Sequence, residues 1–244
     1  MFKDKVAIIT GGSSGIGKAT ALLLAQNGTN IVITYKSNKN GACEVVDAIK
    51  AFGKKAIAVK ANLNKDKDAK KVIEKTLKKF GRIDILINNA GNYINGDEWN
   101  GSSKIWIESL EQNLVSALSM SKYAMEVFQK QKSGIIINIA STHGLLGHAD
   151  SITYSAAKAG IINMTQSYAS LLSQFGGRAN SISPSPVNAG YWTRETESKK
   201  NELKELLEET PIHRLLEPEE IAQKILYLCS DEANDVNGEN FLIK

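Results

Sequence analysis

The sequence predicts an α/β fold built from βαβ units around a parallel sheet. Two observations carry this reading. Short apolar runs rich in β-branched residues alternate with helical patterns, and short glycine-marked turns join them. The first strand also hands over to its helix through a glycine-rich loop at 10–17, a type that leads into a phosphate-binding helix N-terminus. With 244 residues, 42% hydrophobic and 23% charged, the chain has room for one large domain, and no linker, repeat or low-complexity segment divides it.

In chain order, 6–10 is the first strand. The helix after the loop repeats Ala19, Leu22, Leu23 and Ala25 at helical spacing and ends at Asn27-Gly28, a C-terminal signal. Residues 30–35 form the second strand and 41–52 the second helix, closed by Gly53. A third strand at 56–60 and a third helix at 66–80, closed by Gly81, follow, then a fourth strand at 83–88. A long helix is expected over about 103–130, a strand at 135–141, a helix over about 151–175 and a brief strand at 180–183. The polar, charge-rich region at about 190–215 reads as a substrate lid. Pro218-Glu219-Glu220 opens a last helix reaching Cys229, with acids where the helix dipole favours them, and 241–243 closes the sheet.

The totals exclude several classes of function. No apolar run approaches the ~20 residues that span a bilayer, and the N-terminus lacks the apolar core of a signal peptide. Cys43 and Cys229 show no metal or redox spacing and suit free thiols in a reducing cytoplasm. The net charge of +4 comes from 30 basic and 26 acidic residues. Its lysine-rich run at 65–79 interleaves acids and repeats Ala69, Val72, Ile73 and Leu77 at helical spacing, so it reads as a solvated helix face and not a nucleic-acid surface.

The chemistry concentrates in 141–158. The run Ile135-Ile136-Ile137-Asn138-Ile139-Ala140 reads as a buried strand that delivers the Ser141 hydroxyl to the carboxyl edge of the sheet. Tyr154 and Lys158 stand four residues apart on the next helix and share a face, so phenol and ammonium converge. A nearby cation favours phenolate, so the Tyr154 pKa should fall, while Ser141 polarises a carbonyl oxygen. Taken alone, a Tyr-x-x-x-Lys pair is usually a helix surface. His143, His148 and His213 form no metal-ligand pattern, and a Ser141–His143 hydrolase pair lacks both geometry and a G-x-S-x-G elbow. His143 and His148 line either the substrate pocket or the surface.

The loop at 10–17 is T-G-x-x-x-G-x-G and lacks the Gly-Lys-Ser/Thr ending of a nucleoside-triphosphatase loop, because Ala19 follows Lys18. Alone it leaves mononucleotide, dinucleotide and purely structural readings open. The second strand ends Thr34-Tyr35-Lys36-Ser37, with no carboxylate for a ribose 2′-OH. Lys36 and Ser37 instead suit a 2′-phosphate, which favours NADP over NAD; a plain surface lysine is the competing account.

With Thr10–Gly17, Asn88-Asn89-Ala90-Gly91, Asn113, Ser141 and Tyr154-Ser155-Ala156-Ala157-Lys158 in this order, the chain resembles the short-chain dehydrogenase/reductase family. It is similar to the compact type that includes 3-oxoacyl-carrier-protein reductases and glucose dehydrogenases. Ser141 precedes Tyr154 by the family's thirteen residues, and 211–222 matches its lid-to-last-helix pattern. The resemblance implies a Rossmann-like doubly wound seven-stranded parallel sheet, helices on both faces, and NAD(P) across the carboxyl ends of the strands. By family role, Gly11, Ser13, Ser14, Ile16 and Gly17 line the pyrophosphate and adenosine ribose, and Asn62-Leu63 the adenine. Asn89, Ala90 and Gly91 wall the cleft. Lys158 holds the nicotinamide ribose and lowers the Tyr154 pKa, Tyr154 is the general acid or base, Ser141 positions the substrate oxygen, and Asn113 anchors a water linking Lys158 to solvent.

The family pattern also marks departures. Pro184-Ser185 replaces Pro-Gly, Ala189 stands where a Thr contacts the carboxamide, and Val187 retains a backbone contact to it; Thr193 lies further on. The sequence ends at Lys244, short of an Asp-Gly-Gly-like tail. The implied activity is hydride exchange between NADP(H) and a ketone or secondary alcohol, a 3-oxoacyl thioester or a sugar/polyol, in a cytoplasmic homotetramer or homodimer formed through the long helices. Enoyl reduction is disfavoured, because that branch spaces Tyr and Lys further apart. A catalytically weak nucleotide sensor or scaffold is the alternative, motivated by the altered 184–189 loop. Trp99, Tyr191 and Trp192 suggest either an apolar substrate wall or ordinary packing.

Overall fold

A computed structural model describes residues 2–190, 192, 203–204, 207–208 and 211–244. The expected lid at 190–215 falls largely outside the described residues, as do Tyr191 and Thr193. The remainder is organised on one seven-stranded sheet: β1 (Val6–Ile9), β2 (Asn30–Tyr35), β3 (Ala56–Lys60), β4 (Ile85–Asn88), β5 (Ile135–Ile139), β6 (Arg178–Pro184) and β7 (Asn240–Ile243). The order is β3-β2-β1-β4-β5-β6-β7 and every pairing is parallel. The chain turns back on itself between β1 and β4. That reversal opens a crevice at the carboxyl ends of the strands, where α/β sheets place their ligands.

The parallel sheet is covered on both faces because its strands are apolar on both. Ala7, Ile9, Ile31, Ile33, Ile85 and Ile87 point to one side and meet Leu24 of α1 (Gly15–Gln26), Ile49 of α2 (Lys39–Ala51) and Ile225 of α7 (Pro218–Cys229). Ile8, Val32, Leu86 and Ile136 point to the other. They meet Val72 of α3 (Asp66–Phe80), Phe128 of α5 (Ser116–Gln131) and Leu172 of α6 (Ile152–Ser173). Each fully buried side chain of this size stabilises the fold by about 1.5–3 kcal/mol. A polar ladder crosses the second layer: Asn88 donates to Asn138 at 2.8 Å and to Ser121 at 2.9 Å, and Asn138 donates to Thr165 at 2.8 Å. Because Asn88 and Asn138 are register partners on β4 and β5, a slip of one residue would bury both amides unpaired.

Two expected elements are corrected. The helix expected over 103–130 is three pieces: α4 (Ser103–Leu110), a π-helical turn Glu111–Val115, and α5. The π turn accommodates one extra residue per turn and carries Asn113 inward, a device frequent at functional sites. The strand expected at 180–183 runs seven residues, 178–184. Its polar residues are satisfied from the last loop and β7: Asn180 donates to Val236 O, and Ser181 and Ser183 both donate to Asn240 Oδ1.

Candidate active site

A cavity of about 750 Å³ lies along the carboxyl edge of the sheet at the reversal point. One half is lined by Gly11, Ser13, Ser14 and Ile16 from the first loop, Tyr35, Lys36 and Ser37 after β2, Asn62 and Leu63 after β3, and Asn89, Ala90 and Gly91 after β4. At the far end it is lined by Ser141, Tyr154, Lys158, Pro184 and Val187. Of the residues expected there, Gly17 and Asn113 do not line it. Gly17 lies beneath the loop, where an added Cβ would come within 2.5 Å of Gly11 O and 2.6 Å of Asn89 Nδ2, so only glycine lets loop and helix close up.

Asn113 is buried, and its side chain is spent on the chain after β4. Its Oδ1 accepts from Asn92 N–H at 2.9 Å, and its Nδ2 donates to Asn92 O at 2.9 Å and Ser109 O at 3.0 Å. These bonds tie the amide to the chain after β4 and fix the 91–92 turn. An added Cβ on Gly91 would lie 2.6 Å from Asn113 Oδ1 and 3.6 Å from Lys158 Nζ, so the amide and the ammonium lie against the same glycine.

At the far end, Ser141 follows β5 in extended conformation, and its Oγ accepts from His143 N–H at 3.2 Å to start a 3-10 turn at Thr142–Gly144. Lys158, 5% exposed, donates from Nζ to Ile139 O at 2.8 Å, and its Nζ lies 5.6 Å from the Tyr154 ring centre. Burial pulls the Lys158 ammonium down to about 8. Burial also pushes the Tyr154 phenol above its ordinary value, opposed by its hydrogen bond with Ser141. This corrects the expectation that Lys158 depresses it. The ammonium is turned to the Ile139 carbonyl, and Tyr93 and His143 pack edge-on to the Tyr154 ring at 6.2 and 5.8 Å, so lost hydration outweighs the cation.

His143 and His148 both line the cavity and stack with ring centres 3.7 Å apart. Burial and then the neighbouring His148 lower His143 to about 4, and its Nδ1 lies 2.9 Å from Ser151 Oγ. They belong to the pocket wall, not to a hydrolytic pair. Sequence reasoning singled out no role for the Tyr93 side chain, which lines the cavity and donates to Asp150 O at 2.8 Å, or for the Thr10 side chain, whose Oγ accepts the N–H groups of Asn89 and Ala90, both at 2.9 Å. It also missed Asn38, which caps α2 and donates to Ser13 O at 3.4 Å. The Thr and Asn types at the ends of β1 and β2 were the available signal for the last two. Trp192 lines the cavity, and Trp99 is 78% exposed.

The half lined by the first loop has features that fit a dinucleotide. Helix α1 starts at Ser14 with no capping side chain and no acid in its first turn, leaving its N–H groups and positive dipole end for an anion. Asn62 Oδ1 is buried without a hydrogen-bond partner, an acceptor suited to an exocyclic amine. Lys36 and Ser37 are exposed at the cavity rim. In the departing loop, Ala189 lines the cavity where its Cβ stands 2.9 Å from a Cβ placed on Gly15, and the Ser185 N–H is used by Ile243 O at 2.7 Å.

Comparison with known proteins agrees with this geometry. A family model described as enoyl-(acyl carrier protein) reductase matches residues 11–244. The chain is 39% identical over 240 residues to a 3-oxoacyl-(acyl-carrier-protein) reductase of Synechocystis sp., covering 97% of this chain and 94% of that protein. It is 35% identical to an uncharacterized oxidoreductase of Thermotoga maritima, over the same shares of the two chains. The crystal structure of levodione reductase superposes with a TM-score of 0.94 at 26% identity, covering 100% of this chain and 97% of that one.

Proposed function

The chain belongs to the short-chain dehydrogenase/reductase family and is an oxidoreductase, and from that premise we propose that it reduces a ketone with NADPH and runs the reverse oxidation of a secondary alcohol. The observation that carries this reading is the convergence of Ser141, Tyr154 and Lys158 at one end of a cavity whose other end is the uncapped α1 N-terminus. The substrate classes favoured are a 3-oxoacyl thioester or a sugar/polyol; relatives named 3-oxoacyl-(acyl-carrier-protein) reductases support the first. The four-residue spacing of Tyr154 and Lys158 argues against enoyl reduction. The intact set of three also argues against a catalytically weak scaffold.

Bound nicotinamide would supply or accept the hydride. Gly11, Ser13, Ser14 and Ile16 would cradle its pyrophosphate, Asn62 and Leu63 its adenine, and Lys36 and Ser37 its 2′-phosphate, with Val187 and Pro184 beside the nicotinamide. Ser141 holds the substrate oxygen by its hydroxyl. Tyr154, kept protonated by burial, gives its proton to that oxygen in reduction and is left as phenolate; in oxidation the phenolate, formed once the phenol has released its proton to solvent, takes one from the alcohol. Lys158 matters most while Tyr154 is giving up its proton. A cation near the incipient phenolate stabilises charge that the ground state lacks, which is differential binding. Exposed Ile107, Val115, Leu118 and Leu171 on the long helices support self-association as a homodimer or homotetramer, and the family's cytoplasmic habit supports that location.

The test is titration with NADPH and NADH, followed by NADPH oxidation against a panel of ketones that includes a 3-oxoacyl thioester and sugar ketones. Tyr154→Phe is expected to lose about 10²–10⁴-fold in kcat while NADPH binding persists, since the phenol supplies a proton and little affinity. Full turnover in that variant would sink the mechanism.

A further inference from the structure

Helix α6 carries Tyr154 and Lys158, yet its own N-cap residue, Ser151, makes no capping hydrogen bond. The cap comes from a distant segment. Asp97, 0% exposed, sits in the chain between β4 and α4 and aims both carboxylate oxygens at the first turn of α6. Its Oδ2 accepts from Tyr154 N–H at 2.7 Å, and its Oδ1 accepts from Thr153 N–H at 3.1 Å and from the Thr153 hydroxyl. Its backbone carbonyl accepts from Ile152 N–H at 3.0 Å. Three consecutive residues of the helix start are therefore held by one residue more than 50 positions earlier.

We propose that Asp97 is a positioning residue for the reaction: by capping α6 from outside, it fixes where Tyr154 presents its phenol. A carboxylate buried this completely is tolerable only when its oxygens are hydrogen-bonded. Its bonds to the N–H groups of a helix start are charge-assisted and gain from the helix dipole, so the attachment is stiffer than a neutral Ser cap. The same segment bears Tyr93, edge-on to the Tyr154 ring and bonded to Asp150 O. Substrate wall and catalytic helix consequently move as one body. The inference rests on the reductase reading of Tyr154 for its catalytic consequence, but not for its placement.

The experiment compares Asp97→Ala, Asp97→Asn and, as a cap at the opposite edge of the sheet, Ser230→Ala, which loses the acceptor for Glu232 N–H. Wild type and variants are assayed for kcat, carbonyl KM, NADPH binding and amide hydrogen exchange. Asp97→Ala is expected to lose roughly 10²-fold in kcat, the scale of a 1 Å misplacement, with NADPH binding retained and exchange at Thr153 and Tyr154 accelerated. Asp97→Asn, which keeps one acceptor, should recover part of the loss. Ser230→Ala should lower the melting temperature and leave kcat alone. Wild-type kcat in Asp97→Ala, or a kcat loss in Ser230→Ala of the same size, would overturn the inference. If the wild type turns over no carbonyl, the reductase reading falls, and exchange at Thr153 and Tyr154 then decides the placement: acceleration in Asp97→Ala upholds it and no change overturns it.

Discussion

Lys36 and Tyr154 stand at opposite ends of one cleft, and their surroundings set opposite demands. Lys36 is exposed at the end of β2, in a stretch, Thr34–Ser37, that holds no carboxylate. A ribose 2′-OH would find no anionic acceptor there, whereas a 2′-phosphate would find an ammonium and a hydroxyl. Because the lysine is exposed, its contribution is a solvent-screened contact and not a buried pair. Lys36→Ala is therefore expected to weaken NADPH binding by roughly tenfold and NADH binding far less, as read by fluorescence titration. Equal losses for the two cofactors would mean that Lys36 does not read the phosphate. Tyr154 faces the contrary situation: burial holds it as a phenol, and the cation that could release its proton is itself depleted by burial.

The elements that bring these residues together are fixed by close backbone approach as much as by apolar packing. The 3-10 turn Thr142–Gly144 lies directly on α6, where a Cβ on Gly144 would come within 2.7 Å of the Lys158 carbonyl carbon and 2.8 Å of its oxygen. Those are backbone atoms and cannot swing away. Gly144→Ala is expected to cost about 1–3 kcal/mol in denaturant unfolding, the range of overpacking, and to lower kcat by displacing Ser141. A variant of wild-type stability and turnover would show that the turn has slack. The sequence made elements legible where local chemistry marks their ends: α3 stops at Gly81 in left-handed conformation, and α7 opens on Pro218 behind a capping box, both at the expected residues. It concealed the π turn at Glu111–Val115, because the helical pattern runs on through it. It shortened β6 by Arg178, Ala179 and Pro184, which join the strand only through their partners Ile135 and Ile136 on β5 and Ile243 on β7, none of them close in sequence. Asp97 was invisible for the same reason, since its partners lie more than 50 residues away.

At the scale of the whole molecule, the candidate site is maintained against a stability cost that its pH dependence should expose. The Lys158 ammonium is buried, with one carbonyl at hydrogen-bond distance, and titrates near 8 where an ordinary lysine titrates at 10.5. Below pH 8 both folded and unfolded chains carry the proton, and the full burial penalty, on the order of 3 kcal/mol, weighs on the fold. Between about pH 8 and 10.5 the unfolded chain holds a proton that the folded chain has released, so this residue's contribution to stability rises with pH. Lys158→Met keeps the length and removes the charge, at the cost of leaving the Ile139 carbonyl unpaired, about 1–3 kcal/mol. The variant is expected to be inactive, yet to melt at or above the wild-type temperature at pH 7, with a flatter stability profile between pH 8 and 10.5. That pairing of lost function with retained stability is characteristic of residues kept for chemistry. Denaturant unfolding of both proteins at pH 7, 9 and 10.5 reads the slopes directly. A wild-type slope shared by Lys158→Met would mean that some other group sets the alkaline profile. A variant several kcal/mol less stable at pH 7 would mean that the bond to Ile139 outweighs the ammonium's lost hydration, and that Lys158 holds β5 to α6 as a structural tie.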